Sequence, residues 1–261
     1  MSLQLEQVSI LRGDLCIADA ISLELQSGKV YAVLGPNGVG KSSLIKTIFG
    51  DIAFQGEISF KKRYLRNERL AHWRKTIGYM PQDTQIDASL TALEVVLLGK
   101  LDSLTLHISD EQLATAVELM QTLGIAHLAQ RDVLSLSGGQ RQMVMFAQVL
   151  LREPELLLLD EPVSALDMHH QCVLLEQVRQ YTRERNLVTI MILHDLSLAA
   201  QFADELILLA QGKIQAQGSA SHIFQRHIIE RIYRVETHIF TDEAGNTAAV
   251  LPRRAILSPS Q

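Results

Sequence analysis

The feature that most constrains the fold of this chain is a glycine-rich segment, residues 35–42, with the sequence GPNGVGKS. It fits the pattern GxxxxGK[ST], and it lies between an apolar run at residues 30–34 and a predicted helix at residues 41–49. Glycines let backbone N–H groups turn inward around phosphate oxygens, and a helix N-terminus favours anions. The segment therefore predicts a phosphate-binding loop in an α/β fold, formed by Gly35, Pro36, Asn37, Gly38, Val39, Gly40, Lys41, Ser42 and Ser43.

Two carboxylates predict the second half of this phosphate site. Asp160 and Glu161 follow an apolar run at residues 156–159, and ligands in open α/β sheets bind at the carboxyl ends of strands. We expect Lys41 to reach the β- and γ-phosphates of a nucleotide, and the Ser42 hydroxyl and Asp160 to hold Mg²⁺. Glu161 is then placed to orient and deprotonate an attacking water.

The order of the predicted elements indicates a mostly parallel α/β sheet. Alternating apolar and polar residues near the N-terminus, at residues 3–8 and 21–25, predict antiparallel strands. After Pro154, apolar strands alternate with helical stretches, which is typical of a parallel sheet. The predicted strands there are residues 156–159, 188–193 and 206–210, and the predicted helices are residues 173–185 and 198–202.

This pattern predicts one domain over residues 1–261 with an N-terminal antiparallel β subdomain and an inserted helical subdomain. We assign residues 1–86 and 151–230 to a nucleotide-binding α/β core and residues 87–150 to the helical subdomain. Residues 231–261 are predicted to be a loosely ordered tail.

Composition excludes several other classes of protein. The net charge of −5 disfavours a general nucleic-acid binder. Apolar runs are far shorter than the ~20 residues that a membrane helix needs, and Cys16 and Cys172 are too far apart in sequence to suggest a disulfide scaffold. The Lys- and Arg-rich stretch at residues 61–75 is predicted to be a solvated face.

A second anion-binding helix start is predicted at residues 136–140, LSGGQ. Ser137 can act as the N-cap and Gln140 as its partner three residues later, in a helix that runs to about residue 149. Gly138 and Gly139 leave backbone N–H groups uncovered, so this end can also bind phosphate. Because one chain has two such ends, the simplest arrangement that uses both is a head-to-tail dimer. In it, Ser137 of one chain faces the nucleotide on Lys41 of the other.

The loop at residues 35–42, the LSGGQ string and residues 156–161, in that order, resemble an ATP-binding cassette (ABC) transporter ATPase. The resemblance extends from about residue 3 to about residue 233. It implies a P-loop NTPase core that binds ATP with Mg²⁺ and hydrolyses it.

The resemblance also implies roles for residues that their local sequence alone does not distinguish. Residues 77–82 are similar to the family's Q-loop, in which Gln82 would contact Mg²⁺ and the attacking water and couple to a membrane partner. Asp167 ends a string similar to the D-loop, which crosses the dimer. His194, directly after an apolar strand, resembles the switch histidine that senses the γ-phosphate.

One position departs from the family pattern. The family usually stacks an aromatic side chain on the adenine, and the register points here to Arg12. A guanidinium plane can stack on a ring. The alternative is that Arg12 is simply exposed in a hairpin turn.

Three strings resemble the cassettes that drive import of iron chelates (siderophores), haem and cobalamin: residues 90–100, 161–171 and 229–236. Residues 101–104 differ from the usual continuation in that group. The resemblance implies an ATPase subunit that works as a homodimer on two transmembrane permease subunits. It would act at the cytoplasmic face of the cell membrane, indirectly with a substrate-binding protein and without nucleic acid.

Three alternatives stay open at this point. Zinc and manganese importers share much of the same strings. The chain could also be the nucleotide-binding half of an exporter. A soluble cassette protein acting on DNA or ribosomes is disfavoured, because only one cassette with a short helical insertion is present and the charge is acidic.

Overall fold

The computed structural model describes residues 2–13, 15–83, 89–100 and 108–256. Within them the strands are β1 (Ser2–Arg12), β2 (Leu15–Gln26), β3 (Lys29–Leu34), β4 (Gln55–Phe60), β5 (Arg63–Tyr64), β6 (Ile77–Met80), β7 (Leu156–Asp160), β8 (Val188–Ile192), β9 (Glu205–Ala210), β10 (Lys213–Gly218), β11 (Val235–Thr241) and β12 (Thr247–Ala255). The α-helices are α1 (Lys41–Phe49), α2 (Leu70–Lys75), α3 (Ala92–Leu97), α4 (Asp110–Thr122), α5 (Gly138–Leu151), α6 (Met168–Glu184), α7 (Leu196–Phe202), α8 (Ala220–Ile223) and α9 (Arg226–Tyr233).

The central sheet has the strand order β10-β9-β3-β8-β7-β6. Its pairs are parallel from β9 to β6, and β10 alone joins as an antiparallel edge strand. Every residue of β7 and β8 is buried, as their apolar sequences predict for strands covered on both faces. The predicted mostly parallel sheet is therefore confirmed. Its topology places the carboxyl ends of β3 and β7 at one edge, separated only by β8.

A second sheet, in the order β2-β1-β4-β5, is antiparallel, which confirms the predicted N-terminal β subdomain. Its inner face and α1 share one apolar core with the central sheet, including Leu5, Ile21, Ile45 and Ile190. Helix α1 begins and ends where the sequence predicted, since Gly50 ends it in the left-handed conformation.

The helical segment packs on the opposite face of the central sheet, where α3, α4 and α5 bury residues such as Val96, Met120 and Phe146 in a second core. The capping boxes predicted at Ser109 and Ser137 are both present. The predicted boundary between residues 86 and 87, and the unusual residues 101–104, lie outside the described residues.

Helix α6 begins at Met168 rather than at the predicted residue 173, and α7 begins at Leu196 rather than at residue 198. Asp167 accepts a hydrogen bond from the N–H of His170, and Asp195 accepts hydrogen bonds from the N–H groups of Ser197 and Leu198. These aspartates act as N-caps and extend both helices toward the sheet edge. In the described parts of the chain, no helix has the length and apolar character needed to cross a membrane.

The prediction of a loosely ordered C-terminal tail was wrong for residues 231–256, and residues 257–261 lie outside the described residues. Helix α9 runs through residue 231, and β11 and β12 then form an antiparallel hairpin. The hairpin packs on α7: Val250 is buried, its N–H donates to Ser197 Oγ at 3.1 Å, and Gln201 Nε2 donates to the Ala248 carbonyl at 3.2 Å. The mixed composition of this segment did not indicate strands, because only one face of the hairpin is apolar and that face is covered by α7.

The prediction of a solvated face at residues 61–75 was also wrong in part. Leu65 and Trp73 are buried, and Trp73 Nε1 donates to the Ile48 carbonyl at 2.9 Å. The Arg74 guanidinium lies 4.6 Å from the centre of the Phe49 ring. Two apolar anchors in a charged stretch thus attach it to helix α1, which carries the phosphate loop.

Replacement of the buried indole tests this attachment. Trp73→Ala removes a buried ring and leaves the Ile48 carbonyl without its donor, so the free energy of unfolding should fall by about 3–5 kcal/mol. Chemical denaturation measures the change. Lys75→Ala, at an exposed position of the same helix, is the control and should stay within about 0.5 kcal/mol of the parent chain. Equal stability of the two variants would contradict the anchoring role.

Candidate nucleotide-binding site

The phosphate loop connects β3 to α1, and two of its glycines, Gly35 and Gly40, could not be replaced without rearrangement. A Cβ on Gly35 would lie 2.0 Å from the Leu209 carbonyl oxygen, and one on Gly40 would lie 2.7 Å from Ile17 Cγ2. Gly40 also has a φ of 99°, in the left-handed region. The loop is therefore fixed between β9 and β2, with its backbone available to a phosphate chain.

Lys41 is the cation of this loop. It is 6% exposed, and its Nζ donates to the carbonyls of Gly35 at 2.7 Å and Pro36 at 2.9 Å. Burial lowers the pKa of Lys41, while the nearby Glu161 and Asp160 carboxylates raise it. The buried ammonium group thus lies against the loop, and its contact with phosphate oxygens stays a prediction.

Ser42 and Asp160 lie together although they are far apart in the chain. Ser42 Oγ donates to Asp160 Oδ1 at 3.0 Å, and Asp160 is 2% exposed at the carboxyl end of β7. Burial raises the pKa of the Asp160 carboxyl, and the Ser42 hydrogen bond partly opposes this. A hydroxyl and a buried carboxylate at the phosphate loop are the hard oxygen ligands that Mg²⁺ takes. These residues fit the predicted Mg²⁺ site.

Glu161 lies between Gln82 and His194, two of the residues to which the family resemblance assigns a role in hydrolysis. Its Oε2 accepts from Gln82 Nε2 at 2.9 Å, and its Oε1 lies 2.5 Å from His194 Nε2. The Glu161 side chain is only 14% exposed. The structure thus brings residues that follow β6, β7 and β8 into contact around the Glu161 carboxylate. A carboxylate held in this way can accept a proton from a water that approaches the nucleotide.

The second anion-binding helix start lies elsewhere on the chain. Ser137 Oγ accepts from the Gln140 N–H at 3.2 Å, and Gln140 Oε1 accepts from the Ser137 N–H at 3.1 Å. This end opens onto a cleft of about 560 Å³ whose lining residues are Ile125, His127, Leu128, Ser137, Gly138, Gly139, Gln140, Met143, Ala165, Leu166, Asp167 and His170. The phosphate loop does not line this cleft, so one chain does not bring its two phosphate-binding ends together there.

Asp167 lies at the edge of the same cleft. Its carboxylate accepts from the His170 N–H at 2.9 Å and lies 2.9 Å from the His170 ring nitrogen Nδ1. These hydrogen bonds hold the pKa of Asp167 below its ordinary value. Asp167 is therefore close to Ser137 and Gly139 rather than to Lys41.

Arg12 is exposed at the end of β1, where it pairs with Leu15 of β2. Two residues further along β2, Ile17 lies against the phosphate loop at Gly40. The hairpin end that carries Arg12 is therefore next to the loop, and both predicted alternatives for this residue fit its position.

Two residues at the site were not found by sequence reasoning. Gln142 is buried on α5 and bonds to the backbone of the turn after β7. The sequence feature that could have indicated its burial is its position four residues before the buried Phe146, a spacing that places both on one face of a helix. Tyr233, on α9, lies beside the backbone of Gly35, and burial raises the pKa of its hydroxyl well above the usual range. No local sequence pattern indicated that contact.

Three features define an ATP-hydrolysing nucleotide-binding domain. They are the phosphate loop after β3, the adjacent carboxylates Asp160 and Glu161 at the end of β7, and the second helix that begins with glycines, α5. The chain belongs to the ABC transporter family, whose model matches residues 18–164.

Similar proteins agree with this family. The chain is 34% identical to the ferric enterobactin transport ATP-binding protein FepC of Escherichia coli (strain K12), over 95% of this chain and 92% of that protein. It is 38% identical to the hemin import ATP-binding protein HmuV of Photobacterium damsela subsp. piscicida, over 96% of each. A solved structure of a putative metal-chelate type ABC transporter in an inward-facing conformation shares the fold, with a TM-score of 0.82, 24% identity and 97% coverage of each chain.

Gly40→Ala tests whether the phosphate loop depends on this glycine. The new Cβ would press on Ile17 and the left-handed backbone would be strained, so affinity for ATP should fall by more than about tenfold, equivalent to ~1.4 kcal/mol. Titration with a fluorescent ATP analogue measures it.

Gly245→Ala is the matched control for this prediction. Its φ of 83° imposes similar strain, but a Cβ there meets no atom within 4 Å. This variant should lose some stability and keep its affinity for ATP. Equal affinities of the two variants would show that the close contact at Gly40 is not required.

Proposed function

We propose that this chain is the ATPase subunit of an importer for chelated iron, supplied as a ferric siderophore or as haem. Its likeness to ferric enterobactin and hemin import ATP-binding proteins along nearly the whole chain supports this substrate class. Cobalamin belongs to the same group of substrates by sequence resemblance. A zinc or manganese importer is the second candidate, because its cassettes share the same strings.

The observation that carries the proposed chemistry is the contact of the Glu161 carboxylate with both Gln82 and His194 beside the phosphate loop. In our proposal, loop N–H groups and Lys41 bind the β- and γ-phosphates of ATP. Glu161 orients the attacking water and takes its proton, and the attack is in line with the departing ADP.

Gln82 and His194 hold the Glu161 carboxylate in our proposal, and His194 also contacts the γ-phosphate. Ser42, Asp160 and Gln82 would hold Mg²⁺. This ion, when bound, offsets the negative charge that develops on the phosphate oxygens. Arg12 would contact the adenine.

The assembly that we propose is a head-to-tail homodimer with two ATP molecules at its interface. The Ser137 helix start and Asp167 line a cleft apart from the phosphate loop, and a partner chain would supply the missing half of each site. A solved structure of a dimeric bacterial ABC transporter cassette shares this fold.

We further propose that the dimer binds two permease subunits at the cytoplasmic face of the cell membrane. A substrate-binding protein would deliver the chelate to them. In this arrangement we keep the predicted boundaries: residues 1–86 and 151–230 for the α/β core, 87–150 for the helical subdomain and 231–261 for the C-terminal part.

Removal of the Glu161 charge tests the proposed general base. Glu161→Gln keeps the size of the side chain and its contacts with neighbours but cannot accept the proton, so kcat should fall by at least about 100-fold while ATP still binds. Phosphate release and analogue titration measure the two properties separately.

Glu176→Gln makes the same change of charge at an exposed position of α6 and should keep the parent kcat. Turnover of Glu161→Gln at the parent rate would exclude Glu161 as the base.

Uptake by cells that lack this chain tests the substrate. Labelled ferric siderophores, haem, cobalamin, Zn²⁺ and Mn²⁺ are offered, with rescue by the parent chain or by Glu161→Gln. We expect uptake of one iron chelate or haem to fail and only the parent chain to restore it. Failure of zinc or manganese uptake alone would support the second candidate, and normal entry of every ligand would contradict an import role.

A further inference from the structure

The turn that follows Glu161 is tied to helix α5 by one buried side chain. Gln142 is 3% exposed. Its Nε2 donates to the Glu161 carbonyl at 3.0 Å, and its Oε1 accepts from the Ala165 N–H at 3.2 Å. A single side-chain amide therefore bonds to both ends of this turn. Its NH₂ group donates at one end and its oxygen accepts at the other, so the orientation of the amide is fixed.

The turn needs such support because Glu161 is not in a relaxed conformation. Its φ is 54°, in the left-handed region that residues with a Cβ seldom adopt. Its carbonyl also accepts from Ser164 Oγ at 3.1 Å and from the Ser164 N–H at 3.3 Å. Strained residues of this kind persist only where the surrounding contacts determine the backbone.

The backbone of Glu161 decides where its carboxylate points. The side chain leaves the chain at a strained Cα and reaches Gln82 and His194. A relaxed φ at this residue would turn the Cα–Cβ bond away from both partners. The hydrogen bonds on the Glu161 carbonyl are therefore part of what aims the carboxylate.

Close packing between the helix and the turn adds to this restraint. A Cβ on Gly139 would lie 2.9 Å from the Ala165 carbonyl oxygen, so the first turn of α5 is in direct contact with the same turn. Gln142 follows Gly139 by three residues and thus projects from the same side of the helix.

We propose that Gln142 is a positioning residue for ATP hydrolysis, which holds the Glu161 backbone in the left-handed conformation that aims its carboxylate at the attacking water. This inference rests on the role of Glu161 proposed above. The hydrogen bonds of the Gln142 side chain go to the two ends of the turn, at Glu161 and Ala165, so in this proposal it acts through the Glu161 backbone.

Gln142→Met tests the inference, because methionine has a similar length and good helix propensity but cannot replace either hydrogen bond. We expect kcat per nucleotide-binding site to fall by at least about tenfold and KM for ATP to change by less than about twofold, since the phosphate loop lies on other elements. Titration of binding sites with an ATP analogue prevents a loss of folded protein from being counted as a loss of turnover.

Gln148→Met is the matched control on the same helix. In the described part of the chain the Gln148 side chain makes no hydrogen bond, and it is partly exposed. This variant should keep the parent kcat. If Gln142→Met also keeps it, the inference is overturned.

A double-mutant cycle with Glu161→Gln separates positioning from a general structural effect. If Gln142 acts through Glu161, Gln142→Met should leave the residual rate of Glu161→Gln unchanged. An equal fall in both backgrounds would overturn the inference and leave the proposed base intact. Parent-like turnover of Glu161→Gln alone would instead remove the proposed base, and the inference with it.

Discussion

The left-handed backbone of Glu161 is the constraint on which the rest of the nucleotide site depends. Successive side chains of an extended strand point to opposite faces, and Asp160, the last residue of β7, points to Ser42. The change of conformation at the next residue ends the strand and directs Glu161 to Gln82 and His194. Two adjacent carboxylates thus obtain different surroundings, at a cost of roughly 1–2 kcal/mol for the left-handed residue.

That difference in surroundings separates two tasks. Asp160 is buried beside the hydroxyl of the phosphate loop and suits a cation that stays with the nucleotide. Glu161 lies at the sheet edge between an amide and an imidazole and suits proton transfer from water. The separation of tasks requires the strain, because a continued strand would not bring both carboxylates to the same edge.

The residues after position 226 support this site from outside the parallel sheet. Tyr233 lies beside the backbone of Gly35, the first glycine of the phosphate loop. The hairpin of β11 and β12 packs on α7 through Ser197 and Gln201, and that helix is capped by Asp195, directly after His194. The C-terminal part therefore lies beside the phosphate loop and packs on the helix that directly follows His194.

Features that depend on residues close in sequence could be predicted, whereas contacts between distant elements could not. Local rules predicted the phosphate loop, the end of α1 at Gly50 and the capping box at Ser137, because each depends on residues within about four positions. The family pattern identified Gln82 and His194, whose contact with Glu161 spans three strands. Gln142, Tyr233 and the C-terminal hairpin were missed because their partners come from distant elements, and nothing in their own neighbourhood indicates those partners.

Helix α5 links the two halves of the proposed dimer site within one chain. Its first turn, from Ser137, would face the nucleotide of the partner chain, and its side chain Gln142 is bonded to the turn that begins at Glu161 of its own site. The direct contact of Gly139 with Ala165 leaves little room for the helix to move without that turn. In the proposed dimer, a shift of the Ser137 end on the partner's nucleotide would therefore displace the Glu161 backbone, and the geometry of each site would depend on occupation of the other.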